Sequence, residues 1–72
     1  MEVKLFATLR EGRDKVVRVD WFEGITGDKI IESLNIPLKS VAIFLVNGKN
    51  ADRNAALLQS DEVSLFPPVG GG

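Results

Sequence analysis

The stretch Phe66-Pro67-Pro68-Val69-Gly70-Gly71-Gly72 carries groups that packing does not account for. Two prolines hold its base extended. Three glycines then strip the end of side chains. Glycine loses more backbone freedom on ordering than any other residue, so a fold gains nothing from glycines placed there. One reading is a frayed end. The other is a backbone thin enough to thread a narrow slot in a second protein, with Gly70 and Gly71 in the slot and the α-carboxylate of Gly72 as the reacting group. Stretched out, residues 67–72 reach roughly 20 Å. A terminal carboxylate is ionised at neutral pH and is a poor electrophile. Attack of its oxygen on the α-phosphorus of ATP, held with a metal ion by a partner enzyme, gives an acyl adenylate with a good leaving group. That step asks nothing catalytic of the chain itself.

The remaining side chains offer little other chemistry. The chain has no His, no Cys and no Tyr. The usual general base, zinc ligand and thiol nucleophile are therefore missing, along with any disulfide framework. The expectation is a protein that is not itself an enzyme and binds no metal or cofactor, ATP and its metal ion belonging to the partner. Arg10, Glu11 and Arg13 read as a solvated charged turn. Trp21 and Phe22 read as caps on the edge of the core. Asp61 and Glu62 are adjacent on a strand and point to opposite faces, which excludes an acid–base pair. No glycine spacing matches a dinucleotide or P-loop motif, and the terminal triplet opens no helix that could hold phosphate.

Seventy-two residues allow one small domain, near the lower limit for an unaided core. With 44% hydrophobic and 26% charged residues, the composition is that of a globular chain rather than a disordered one. A net charge of −1 leaves no polybasic footprint for nucleic acid or anionic lipid. The longest apolar run, residues 41–46, is strand length and far below the roughly 20 residues of a membrane span. Met1-Glu2-Val3-Lys4 leads straight into alternating sequence, without a signal-peptide pattern, so a cytoplasmic location is expected.

The elements that must position the tail follow from periodicity. Residues 2–8 alternate, with Val3, Leu5 and Ala7 on one face and Lys4, Phe6 and Thr8 on the other. Residues 15–20 alternate again, Val17 and Val19 inward and Val16 and Arg18 outward. A Gly12-containing loop joins the two into an antiparallel hairpin. Thr26 is a helix N-cap with Asp28 in the first turn, and Ile25 and Ile30 have the spacing of a hydrophobic staple. Ile30, Ile31 and Leu34 form the buried face, Asn35 suits a left-handed cap, and Pro37 ends the element. Residues 41–46 suit an interior strand. Asn47-Gly48 is a two-residue hairpin signal that pairs Val46 with Lys49, Leu45 with Asn50 and Phe44 with Ala51. On that register Phe44 and Ala51 face in and Leu45 faces out. Residues 52–60 are irregular, with a short helical turn holding Leu57 or Leu58. In residues 62–66, Val63 and Leu65 face in, Ser64 and Phe66 out.

The sum is an α+β fold: a mixed sheet of four or five strands, one main helix across one face, the other face open. Residues 1–66 form the domain and residues 67–72 the tail. Gly12, Gly24, Gly27 and Gly48 punctuate the joints. With the first and last strands adjacent in mid-sheet, Phe6 and Phe66 become neighbours on the open face with Leu45 beside them. Such an uncovered apolar cluster marks a partner site at the root of the tail.

Three stretches carry a resemblance to a known family. Leu5-Phe6-Ala7 followed by Leu9-Arg10-Glu11, the turn Val46-Asn47-Gly48, and Asp61-Glu62-Val63 followed by Phe66-Pro67-Pro68-Val69 and a glycine end resemble MoaD, the small subunit of molybdopterin synthase. The thiamine-pathway carrier ThiS is similar but usually lacks the double proline. This chain is shorter than typical MoaD and ends in three glycines rather than two. The resemblance implies a β-grasp, ubiquitin-like fold. It implies an E1-like adenylyltransferase of the MoeB/ThiF type, which activates Gly72 before sulfur transfer makes a thiocarboxylate. It also implies a MoaE-type large synthase subunit that receives the tail and passes sulfur to a pterin precursor of the molybdenum or tungsten cofactor. Phe6, Phe66, Pro67 and Pro68 would meet these partners; Leu45 joins them through its register alone. A ThiS-type carrier, a ubiquitin-like modifier joined to lysines through Gly72, and a passive interaction domain remain the alternatives.

Overall fold

The computed structural model describes residues 1–68. Strand β1 (Glu2–Leu5) opens the chain, and its alternation places Val3 and Leu5 fully inside. It is shorter than the alternating stretch of sequence. After Phe6 the backbone turns left-handed at Ala7 (φ +54°) and coils into a 3-10 turn, Ala7–Arg10, which drops Leu9 into the core. Ala7, expected to face in beside Val3 and Leu5, is exposed as a result.

Strand β2 (Val16–Arg18) pairs antiparallel with β1, Val17 opposite Val3. Val17 and Val19 pack against the core while Val16 and Arg18 face out, as the alternation requires. Trp21 caps the core edge and donates its indole N–H to the Leu57 carbonyl at 2.9 Å. Phe22 does not share that role: it is half exposed, with the Lys29 ammonium over its ring.

Helix α1 (Gly27–Ser33) begins where the cap predicts, the Lys29 N–H donating to Thr26 Oγ1 at 3.3 Å. Ile25, Ile30 and Ile31 are buried, and Asn35 (φ +59°) turns the chain out of the helix. Gly27 is a buried first helical residue rather than punctuation, because the Phe44 ring lies where its side chain would be. A second 3-10 turn (Leu38–Ser40) precedes strand β3 (Ile43–Val46). This turn delays the strand, which the apolar run alone would start at Val41.

Asn47 (φ +54°) and Gly48 (φ +82°) make the tight turn into strand β4 (Lys49–Asn50), with Leu45 opposite Asn50 and Val46 opposite Lys49. Phe44 is buried, but Ala51 is exposed, since β4 ends one residue before it. Residues 52–60 form no helical turn. An isolated bridge between Thr26 and Ala56 and a Leu57 N–H bond to the Ile25 carbonyl at 2.9 Å place Leu57 in the core and leave Leu58 outside.

Strand β5 (Val63–Phe66) completes a five-stranded sheet ordered β2-β1-β5-β3-β4. It lies parallel to β1 and antiparallel to β3, with Val63 and Leu65 wholly inaccessible. The buried side chains of β1, β3 and β5 meet those of α1 in a single apolar core, against which Val17 of β2 packs. The last strand therefore sits in mid-sheet, held by a ladder on each side.

Candidate functional site

The parallel register places Leu5 beside Leu65, so the next residues, Phe6 and Phe66, emerge together on the open face. Their rings stack with centroids 4.2 Å apart and planes 8° from parallel. Both are half-buried. The Arg10 guanidinium lies 5.5 Å from the Phe6 ring centroid, anchored by its Nε–H bond to the Leu5 carbonyl at 2.8 Å. Aromatic stacking and the cation–π contact fix the shape of this patch before anything docks on it.

Ile43 joins the two rings directly, and Leu45 lies further along the same face. In the pairing of β3 with β5, Ile43 stands opposite Phe66, and Leu45 lies two residues further along, opposite Ser64. Ile43 is 39% exposed. The hairpin signal gives the register of β3 against β4 but not against β5, so the sequence points to Leu45 on this face and misses Ile43 as the residue directly opposite Phe66. Pairs of charge border the face: Lys4 with Glu62 at 3.1 Å and Arg18 with Glu2 at 3.4 Å. Each is exposed and contributes little to stability, so their weight is in keeping this end of the face polar.

Asp61 and Glu62 precede β5 rather than lying on it, and they make separate contacts. Asp61 accepts from the Asn47 amide at 2.9 Å and from the Leu58 N–H at 2.8 Å, while Glu62 turns to Lys4. Arg13 departs from the solvated-turn expectation. Its guanidinium reaches the carbonyls of Glu11 (3.2 Å), Asn35 (3.4 Å), Leu9 and Leu34 (3.5 Å each), tying the loop to the C-terminal end of α1. The partial negative charge at a helix C-terminus favours a cation there.

Beside the aromatic patch, β5 runs out into an open groove of about 900 Å³ between the two 3-10 turns. Pro67 and Pro68 line it where the chain leaves the sheet, Ala7 and Thr8 form one wall, and Pro37 and Lys39 the other. Arg53 braces the second wall through the Leu38 and Val41 carbonyls (2.9 and 3.3 Å) and an ion pair with Asp28 at 3.4 Å. Gly70, Gly71 and Gly72 lie outside the described residues. Among the described residues no cluster of three or more acidic, His or Cys side chains could hold a metal ion, and no helix is long and apolar enough to cross a membrane.

A match to the ThiS family model runs over residues 3–72. The chain belongs to the ThiS family. Two solved structures of small archaeal modifier protein 1 from Haloferax volcanii share the architecture at 32% identity. One superposes with a TM-score of 0.77 over 94% of this chain and 95% of that one. The other has a TM-score of 0.75 over 99% and 97%. No curated protein gives a match. The ThiS-family chain thus has the β-grasp, ubiquitin-like fold, its mixed sheet carrying one helix on one face.

Proposed function

We propose that this ThiS-family protein is a sulfur carrier whose Gly72 carboxylate is adenylylated by an E1-like enzyme and converted to a thiocarboxylate. One observation carries the reading. The mid-sheet strand β5 ends in Phe66 stacked on Phe6, and only Pro67, Pro68 and Val69 separate that patch from Gly70-Gly71-Gly72. A gripping surface stands at the foot of a backbone with no side chains.

In the first step a carboxylate oxygen attacks the α-phosphorus of ATP and pyrophosphate leaves. A sulfur nucleophile at the level of hydrosulfide then adds to the acyl carbon and expels AMP, leaving sulfur in place of one oxygen. The activating enzyme, of the MoeB/ThiF type, supplies ATP, metal ion and catalytic groups. This chain supplies the patch of Phe6, Phe66 and Ile43, the stiff Pro67-Pro68 spacer, and the narrow Gly70-Gly71 thread. On this reading the protein works in the cytoplasm, where a partner can draw on ATP. In the molybdopterin branch, the thiocarboxylate enters a MoaE-type large subunit and gives its sulfur to a pterin precursor. Thiocarboxylate sulfur is softer and more nucleophilic than carboxylate oxygen, as that transfer requires.

Intact mass spectrometry tests this. Incubation with the activating enzyme, ATP and a sulfur source is expected to exchange one oxygen for sulfur at Gly72, and no mass change overturns the reading. A second reading is favoured by the solved structures, each described as a modifier protein. The same acyl adenylate, attacked by a lysine amine, joins Gly72 to another protein. Glycine remnants on cellular lysines, found in peptide mass spectra, select that outcome.

A further inference from the structure

We propose that Asn47 is a modification site: its carboxamide hydrolyses to a carboxylate through a cyclic imide closed by the Gly48 nitrogen, and a clasp from Asp61 and Glu62 sets the rate. Nothing in this chemistry depends on the carrier reading.

The chain has four asparagines, and only Asn47 is followed by glycine. In the first step the Gly48 backbone nitrogen forms a bond to Cγ of Asn47. The Cγ–Nδ2 bond breaks, and the proton of the Gly48 N–H ends on the departing nitrogen, which leaves as ammonia. Water then opens the imide ring at one of its two carbonyls. One opening gives aspartate at position 47; the other routes the backbone through the side chain as isoaspartate. The attack needs an uncrowded nitrogen and access to water. Gly48 has no Cβ, nothing lies within 4 Å of where one would stand, and both residues of the turn are exposed.

The fold opposes the reaction. Asn47 donates its Nδ2–H to Asp61 Oδ1 at 2.9 Å and accepts from the Glu62 N–H at 3.0 Å. A carboxylate only accepts and a backbone N–H only donates, so each end of the carboxamide has its own partner. The Asn47 N–H donates in turn to the Glu62 carbonyl at 2.8 Å. Asp61 is itself steadied by the Leu58 N–H, 2.8 Å from its other oxygen. Ring closure requires the carboxamide to turn its face to the Gly48 nitrogen, and both of its ends are held. Hydrolysis also destroys the clasp. Aspartate at position 47 sets an acceptor where a donor faced Asp61, with a second negative charge beside it. Isoaspartate adds a methylene to a turn whose two residues sit at φ +54° and +82°, a geometry fitted to a two-residue loop. Either product loosens the joint between the β3–β4 turn and the residues that lead into β5.

The test is incubation of the full chain at one pH and temperature, with chromatography and mass spectrometry separating peptides that carry asparagine, aspartate and isoaspartate at position 47. The folded wild type is expected to react at least about tenfold more slowly than the same chain in concentrated urea. Asp61→Ala should recover most of that factor, and Asp61→Asn, which keeps one acceptor oxygen, should fall between. Gly27→Ala, which crowds the Phe44 ring far from the clasp chemistry, reports the rate that passes through global unfolding. Circular dichroism gives the unfolded fraction of each variant. Equal wild-type rates with and without urea overturn the proposal. So does an Asp61→Ala rate no higher than that of Gly27→Ala at the same unfolded fraction. If Asp61→Ala does not fold, Asp61→Asn decides: a rise of about threefold supports the clasp, and the wild-type rate overturns it.

Discussion

Ala7 is the residue where local preference and tertiary demand part. Its φ of +54° costs an alanine roughly 1 kcal/mol relative to a right-handed conformation. The turn is enforced from both sides, since Phe6 must stay extended to stack on Phe66 and Leu9 must reach the core. Ala7→Gly removes the steric penalty, and the expected outcome is a gain of about 0.5–1 kcal/mol in urea unfolding, net of the added backbone entropy. A loss would mean that the left-handed turn is not enforced in solution. The Phe6–Phe66 stack should register as a coupling. A double-mutant cycle with Phe6→Leu and Phe66→Leu is expected to give about 1 kcal/mol of interaction energy. The approach of Phe6 to Phe66 is legible from the alternation of the two strands, but the left-handed turn at Ala7 is not visible in the letters of residues 6–10. The alternation through Thr8 is real as a pattern, and only the need to bury Leu9 breaks it.

Among the elements, α1 and β5 were the most legible, because every local signal agreed. Thr26, Ile25, Ile30 and Asn35 each announce one part of a short helix, and each takes the predicted place. The hairpin at Asn47-Gly48 was legible for the same reason: two adjacent positive φ angles need those residues. Long-range pairing was not. The register of β3 against β5 depends on the whole core, so Ile43 was missed as the partner of Phe66 and Leu45 was chosen instead. Gly27 was misread because the reason for it lies across the core. A Cβ there would come within 2.6 and 2.7 Å of two Phe44 ring carbons and 3.2 Å of the Arg53 Cα. Gly27→Ala is therefore expected to cost about 1–3 kcal/mol despite alanine's better helix propensity. In a domain of this size that lowers the melting temperature by about 4–8 °C per kcal/mol. The discriminating measurement is the same substitution in a Phe44→Leu background, where its cost should largely disappear. An undiminished cost would point to the Arg53 backbone rather than the ring.

At the scale of the whole molecule, the sheet order separates the task of folding from that of transfer. β5 is hydrogen-bonded to β1 on one side and β3 on the other, so its end is the best-fixed point from which a tail could start. Among the described residues, no buried side chain of the core that fixes it comes from beyond Leu65. Removing Gly71 and Gly72 should therefore leave the melting temperature unchanged, because the deleted residues bring no apolar surface to the core. Binding to the activating enzyme through Phe6, Phe66 and Ile43 should largely persist, while thiocarboxylate formation is lost altogether. Phe66→Ala is the converse. It leaves all three glycines in place but breaks the patch, and its expected effect is a loss of about 2 kcal/mol in partner affinity, roughly 30-fold in Kd. Melting curves, calorimetric titration and intact mass on these two variants resolve three independent quantities. A passive interaction domain predicts that the deletion changes none of them. A carrier predicts that the deletion removes only the last, and that Phe66→Ala lowers the second.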